Sequence, residues 1–134
     1  MFSTQEDLDR YIEKLYDETD EEGKILTRGE HIIFRDNGTN TYRHMQATLP
    51  SGDKIRPRVH IPVLLKKLGK LFMDKGMESS HLCHIKNCIN PSHLCSEPKA
   101  INLNRNHCLN WRSQIQDPNY CSGHFPYPRC MPVE

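Results

Sequence analysis

A small α+β fold is what this sequence predicts, on three observations. Apolar residues near the N-terminus recur with helical spacing, residues 30–61 alternate with the period of strands, and every cysteine falls in the last 52 of the 134 residues, interleaved with histidines. Helix and sheet therefore come first, and the C-terminal half is expected to depend on something besides hydrophobic burial. The composition agrees: 36% of residues are apolar, with 9 Pro and 7 Gly, which makes a lean core. At this length one domain over 1–134 is expected, burying about two-thirds of the surface that the unfolded chain exposes.

The N-terminal element is a helix over residues 3–16. Ser3 and Glu6 make a capping-box pair, and Leu8, Tyr11, Ile12 and Leu15 lie at i, i+3, i+4 and i+7. Three strands follow, over 30–35, 41–49 and 54–61, with Asn37-Gly38 and Ser51-Gly52 as the turns between them. In the second strand Met45, Ala47 and Leu49 oppose Tyr42, His44, Gln46 and Thr48. In the third, Ile55, Val59 and Ile61 oppose Lys54, Arg56, Arg58 and His60, and Pro57 argues for an edge. A second helix begins near Ile61 with Pro62 in its first turn. Its Val63, Leu64, Leu65, Leu68, Leu71 and Phe72 form the strongest apolar stripe in the chain, and Lys66, Lys67 and Lys70 face outward. From Gly76 onward the chain reads as mostly irregular.

Net charge is +1, but the charges are sorted. Residues 1–22 hold nine acids against two bases, and the other 112 residues hold 16 bases against 8 acids. That asymmetry fits a body attracted to phosphates with an acidic element turned away, or a solvated acidic helix on a basic-leaning surface. No apolar stretch of about 18 residues exists, so no membrane helix is expected. The N-terminus is acidic where a secretory signal would be basic and then apolar, so an intracellular site is expected. A nuclear site suits a small DNA-binding protein, although no basic import signal is evident.

In a reducing compartment, clustered Cys and His point to metal, the rival being three disulfides in an exported product. Cys83, Cys88 and His93 are spaced by five residues each, and Asn90-Pro91 turns the chain so that His93 returns toward the thiols. Such loops suit the zinc tetrahedron, with ligands at about 2.3 Å for sulfur and about 2.0–2.1 Å for nitrogen. Cys108, Cys121, His124 and Cys130 supply a second, complete set. The first group has three ligands in its loop, which is either an open catalytic zinc or a site completed from the sheet. His31, His44 and His60 are available there, and His44, in the middle of its strand, is the expected fourth ligand. Cys95 is expected to be a buried thiol outside both sites, and His84 and His107 to be solvent-exposed.

The run HLCHIKNCINPSHLC at 81–95, followed by NLNRNHC at 102–108, resembles the His-Cys box of homing endonucleases, members of the ββα-metal (His-Me finger) nuclease superfamily. The resemblance implies a zinc-stabilised ββα-metal core over 81–108, a second zinc loop over 108–130, a DNA-binding sheet over 30–61 and an acidic helix over 1–22. It implies His81 as the general base, Asn102 as the ligand of one catalytic Mg²⁺, and a sheet arginine at the scissile phosphate, for which Arg56 stands ahead of Arg58. Cys83, Cys88 and His93 would hold one structural Zn²⁺, and Cys108, Cys121, His124 and Cys130 the other. The family pairs through a C-terminal tail. This chain ends four residues after Cys130, so a homodimer by that route is not expected.

The chemistry supports that assignment independently. Phosphodiester hydrolysis needs a base titrating near neutrality, which imidazole provides, and a cation for the charge developing on the leaving oxygen. The expectation is therefore a Mg²⁺-dependent DNA endonuclease whose sheet contacts DNA through Arg43, Gln46, Lys54, Arg56 and Arg58. The rival is a zinc-stabilised binding module of the Smad kind, which binds DNA without cutting it and has no use for a His81–Asn102 pair.

Overall fold

The computed structural model describes residues 1–22, 25–28, 31–34 and 40–131. Within them the N-terminal helix α1 spans Gln5–Glu22. Its cap is Thr4, whose Oγ1 accepts from Asp7 N at 3.1 Å, so the capping signal falls one residue later than Ser3. Leu8, Tyr11 and Leu15 are buried, as their spacing requires, and the Tyr11 hydroxyl donates to Met45 O at 3.0 Å.

The first strand pair differs from the expected one. β1 (Ile25–Arg28) pairs antiparallel with β2 (His31–Phe34), so the strand expected over 30–35 has its partner upstream of it. Asn37-Gly38 lies outside the described residues. The strands expected over 41–49 and 54–61 do face one another about Ser51-Gly52, but their regular ladder is short: β3 (Ala47–Thr48) against β4 (Lys54–Ile55). Gly52 adopts φ +95° there, and its N–H donates to Leu49 O at 2.8 Å. Pro57, lacking an N–H, interrupts the ladder. Pairing resumes beyond it, with Val59 N donating to Arg43 O at 2.9 Å and His44 bridging Arg58. Met45, Ala47, Leu49 and Val59 enter the core while Gln46, Thr48, Lys54, Arg56 and Arg58 stay exposed.

Helix α2 (His60–Leu68) buries Val63, Leu64 and Leu65 against α1, Met45 and Ile89. It stops at Gly69, whose left-handed φ of 69° lets its N–H and that of Lys70 turn back to the carbonyls of Lys66 and Leu65. Leu68, the last residue of the helix, and Phe72, beyond it, were expected in the apolar stripe but are exposed, whereas Leu71 packs partly buried against the core.

The stretch after Gly76 is more regular than its sequence suggests. β5 (Met77–His81) and β6 (Leu94–Pro98) form an antiparallel hairpin, and α3 (Lys99–Ile115) follows at once. This ββα unit packs α3 onto both strands. Its inward residues are Arg105, Cys108 and Arg112, polar groups where an apolar stripe would ordinarily mark a buried helix face. The architecture is thus α+β: three short antiparallel strand pairs and three α-helices among the described residues. No helix among them is long and apolar enough to cross a membrane.

Candidate catalytic site and metal clusters

The loop that joins β5 to β6 is folded by its own backbone bonds and by β2. Asn90 Oδ1 accepts from Ser92 N at 3.0 Å, and Pro91–His93 make a single 3₁₀ turn that carries His93 back toward the cysteines. β2 runs beside residues 87–89: Phe34 N donates to Asn87 O at 3.0 Å and Ile89 N to Ile32 O at 2.7 Å. That pairing brings His31, at the start of β2, to the loop. The ligand atoms of His31, Cys83, Cys88 and His93 lie within 4.8 Å of one another, all buried.

His31 therefore stands in the fourth position that His44 was expected to fill. His44 sits across the sheet from Arg58, and desolvation and then the charges of Arg56 and Arg58 hold its pKa below the usual imidazole value. The reason is register: the strand that reaches the zinc loop is β2.

The second cluster gathers Cys108 from α3 with Cys121, His124 and Cys130, again buried and within 4.8 Å. Two donors about 2.3 and 2.0–2.1 Å from one tetrahedral centre stand about 3.6 Å apart. Cys88 Sγ and His93 Nδ1 are 3.5 Å apart, and Cys108 Sγ and Cys130 Sγ are each 3.4 Å from His124 Nε2. In the first cluster the Cys83 thiol donates to the Cys88 sulfur, which pulls Cys88 down to about 4 and pushes Cys83 up. A bound cation would replace that proton. In the second, Gly123 N and Cys130 N donate to Cys121 Sγ at 3.4 and 3.3 Å. Both clusters suit zinc. Cys95 belongs to neither: its thiol donates to Glu97 Oε1 at 3.0 Å.

Between the hairpin, α3 and the sheet lies a cavity of about 160 Å³, lined by Tyr42, His81, His84, Lys86, Asn102 and Arg105 among others. The two residues implied as base and metal ligand thus share one wall. His81, 8% exposed, ends β5, and its Nε2 is 3.0 Å from Cys88 O. A carbonyl only accepts, so Nε2 carries the proton and Nδ1 is left as a base. Burial, against the pull of that carbonyl, lowers the ring's pKa to about 4, below the near-neutral value expected of a base, so the ring is neutral but holds a proton less strongly than a free imidazole. Asn102 Nδ2 donates to Glu78 Oε2 at 2.8 Å.

Sequence reasoning assigned no place beside His81 to several of its neighbours. His60, expected on the polar strand face, is buried at the start of α2 with its ring 4.4 Å from that of His81. Tyr42 stacks on His60 at 5.4 Å, and the Arg58 guanidinium lies 3.9 Å over the Tyr42 ring. Alternation had marked Tyr42 and Arg58 as sharing a face, which is the trace that could have placed them together. Arg58 thereby reaches the cavity wall through Tyr42. Arg56 is exposed and outside that wall. Arg43 donates to Thr41 Oγ1, and Gln46 and Lys54 are exposed on the sheet. His107 is exposed as expected, whereas His84 is half-buried with φ 62°. Asn40 clasps the turn at His84, donating to His84 O at 3.0 Å and accepting from Lys86 N at 2.7 Å.

Among the described residues Arg105 is the largest fully buried side chain. Its Nε and Nη2 reach Glu97 Oε2 and Oε1 at 2.6 Å each, Nη2 also reaches Pro128 O at 2.8 Å, and Nη1 lies 3.4 Å from Cys130 Sγ. One guanidinium so ties β6, α3 and the second cluster together.

A family model described as the zinc-binding loop region of homing endonuclease matches residues 16–131. No curated protein and no solved structure gives a match.

Proposed function

Because the chain belongs to the family of homing-endonuclease zinc-binding loop regions, we propose that it is a divalent-metal-dependent endonuclease hydrolysing phosphodiester bonds in double-stranded DNA. The observation that carries this reading is His81: a neutral, buried imidazole with Nε2 committed to Cys88 O, in one cavity with Asn102. Nδ1 takes a proton from water as the water oxygen attacks phosphorus and the bond to the bridging oxygen breaks. Mg²⁺ held by Asn102 would stabilise the charge that develops on that oxygen. Arg58, on its Tyr42 shelf, or the exposed Arg56 faces the non-bridging oxygens. Arg43, Gln46 and Lys54 extend the contact along flanking DNA. The two zinc clusters act as scaffold: Cys83 is two residues past His81, and Cys108 six past Asn102.

Supercoiled plasmid incubated with the protein and Mg²⁺, beside EDTA and His81→Ala arms, tests this. The wild type is expected to nick or linearise the plasmid, EDTA to abolish cutting, and His81→Ala to lower the rate by about 10²- to 10⁴-fold. Intact plasmid across Mg²⁺ and Mn²⁺, with a retained gel shift, would leave a binding module only.

A further inference from the structure

The register of the β5–β6 hairpin sets Glu78 directly opposite Glu97. Opposed residues project from the same face of a sheet, and two like charges placed so repel. Asn102 and Arg105, three residues apart and so on one side of α3, meet that pair. Arg105 answers Glu97 with a two-pronged ion pair at 2.6 Å and 2.6 Å. Glu78 instead meets a neutral amide, with Oε2 2.8 Å from Asn102 Nδ2.

That contact has a directional consequence. An ionised carboxylate can only accept, so the amide must offer it Nδ2 and turn Oδ1 the other way. A hard divalent cation binds the amide oxygen and not its nitrogen. Without Glu78, the flat amide could rotate to present either end. The half-buried carboxylate also leaves negative charge beside Asn102 that one guanidinium does not neutralise.

We infer that Glu78 is a positioning residue for a divalent-cation site at Asn102, aiming the amide oxygen at the cation and adding negative potential behind it. This rests on the proposed role of Asn102. Carboxylate or carbonyl partners behind a metal ligand are typically worth about 10- to 100-fold in metal affinity.

The test titrates Mn²⁺ alone into the zinc-loaded protein and reads free Mn²⁺ by electron paramagnetic resonance, with thermal melting and zinc content as controls of fold. Glu78→Ala is expected to weaken Mn²⁺ binding by about 10- to 100-fold. Glu78→Gln, which keeps an accepting oxygen but no charge, should recover part of that loss; no recovery would overturn the orienting role. In an Asn102→Ala background the orienting part is already gone, so Glu78→Ala should cost clearly less than in the wild type, and an undiminished further loss there would make Glu78 a direct ligand instead. If Glu78→Ala binds Mn²⁺ like wild type while Asn102→Ala does not, this inference fails and the reading of Asn102 stands. If Asn102→Ala also binds like wild type, that reading fails with it.

Discussion

Histidine is the residue type on which most of this molecule turns, and its members do different work according to where the backbone leaves them. His31 and His93 sit in one buried cluster with Cys83 and Cys88, their rings 5.0 Å apart edge to face, while His44 lies on the sheet against Arg58. His31→Ala should therefore lower tightly bound zinc from two per chain to one, and His44→Ala should leave two; metal analysis of purified protein after dialysis against a mild chelator distinguishes them. His60 makes a different prediction. Desolvation, then the nearby His81, Arg58 and His44, hold its pKa well below the usual 6.5, with only the Ser79 backbone opposing. An unfolded chain would protonate this ring near its ordinary pKa of about 6.5, so below that pH the unfolded state binds the extra proton and folding stability drops. Above it the ring is neutral in both states and contributes no slope. Replacing His60 by Phe should flatten the stability–pH curve between about pH 6.5 and 5 relative to wild type, as measured by urea unfolding at several pH values. A parallel pair of curves would exclude His60 as the source.

The elements show how a helix can be held without apolar residues. α3 buries Arg105, Cys108 and Arg112; Arg112 Nε donates to Tyr120 O at 2.7 Å and its Nη1 to Met131 O at 2.8 Å. The Arg105–Glu97 pair is 2% and 0% exposed. Burial alone would raise the Glu97 pKa, but the Arg105 guanidinium and the Cys95 thiol bring it below the usual carboxylate value. Replacing Arg105 by Leu would leave that carboxylate buried and unpaired, at a cost of about 3–5 kcal/mol, whereas Arg105→Leu with Glu97→Leu should recover much of it. Thermal or urea unfolding of the two variants reads the difference. The same polarity explains what the sequence discloses. α1 and α2 announce themselves because Leu8, Tyr11, Leu15 and Val63–Leu65 bury a stripe, and the alternation of 45–49 is seen because one face is wet. β5, with Glu78, Ser79 and Ser80, and α3, with its arginines, have no such contrast and read as loop. The cysteine ligands were legible from local spacing. His31 was not, because its place depends on β2 lying against residues 87–89, a pairing remote in sequence.

At the scale of the whole molecule, charge is distributed by fold as well as by sequence. The acidic α1 packs against α2, with Asp9 Oδ1 2.5 Å from Lys66 Nζ, while Lys54, Arg56 and Arg58 stay exposed on the sheet whose Tyr42 lines the cavity at His81. If this face tracks a DNA backbone, its affinity should come mainly from counterion release, and log Kd should rise linearly with log salt at a slope of about 0.9 per phosphate neutralised. Removing Lys54 or Arg56 should then lower the slope by about one each and weaken binding almost equally on unrelated duplexes, because a phosphate contact has no sequence preference. Neutralising Glu6 and Glu13 on α1 should leave the slope unchanged, since the slope counts phosphates neutralised by cations and neither side chain supplies one. Fluorescence anisotropy of a labelled duplex with the zinc-loaded protein and no added Mg²⁺, run from about 50 to 200 mM salt, measures all of these without cleavage. A slope unaltered by Lys54→Ala and Arg56→Ala would move the DNA interface off the sheet, and the cavity at His81 would then have to receive its phosphate from the α3 side, past Lys86 and Asn106.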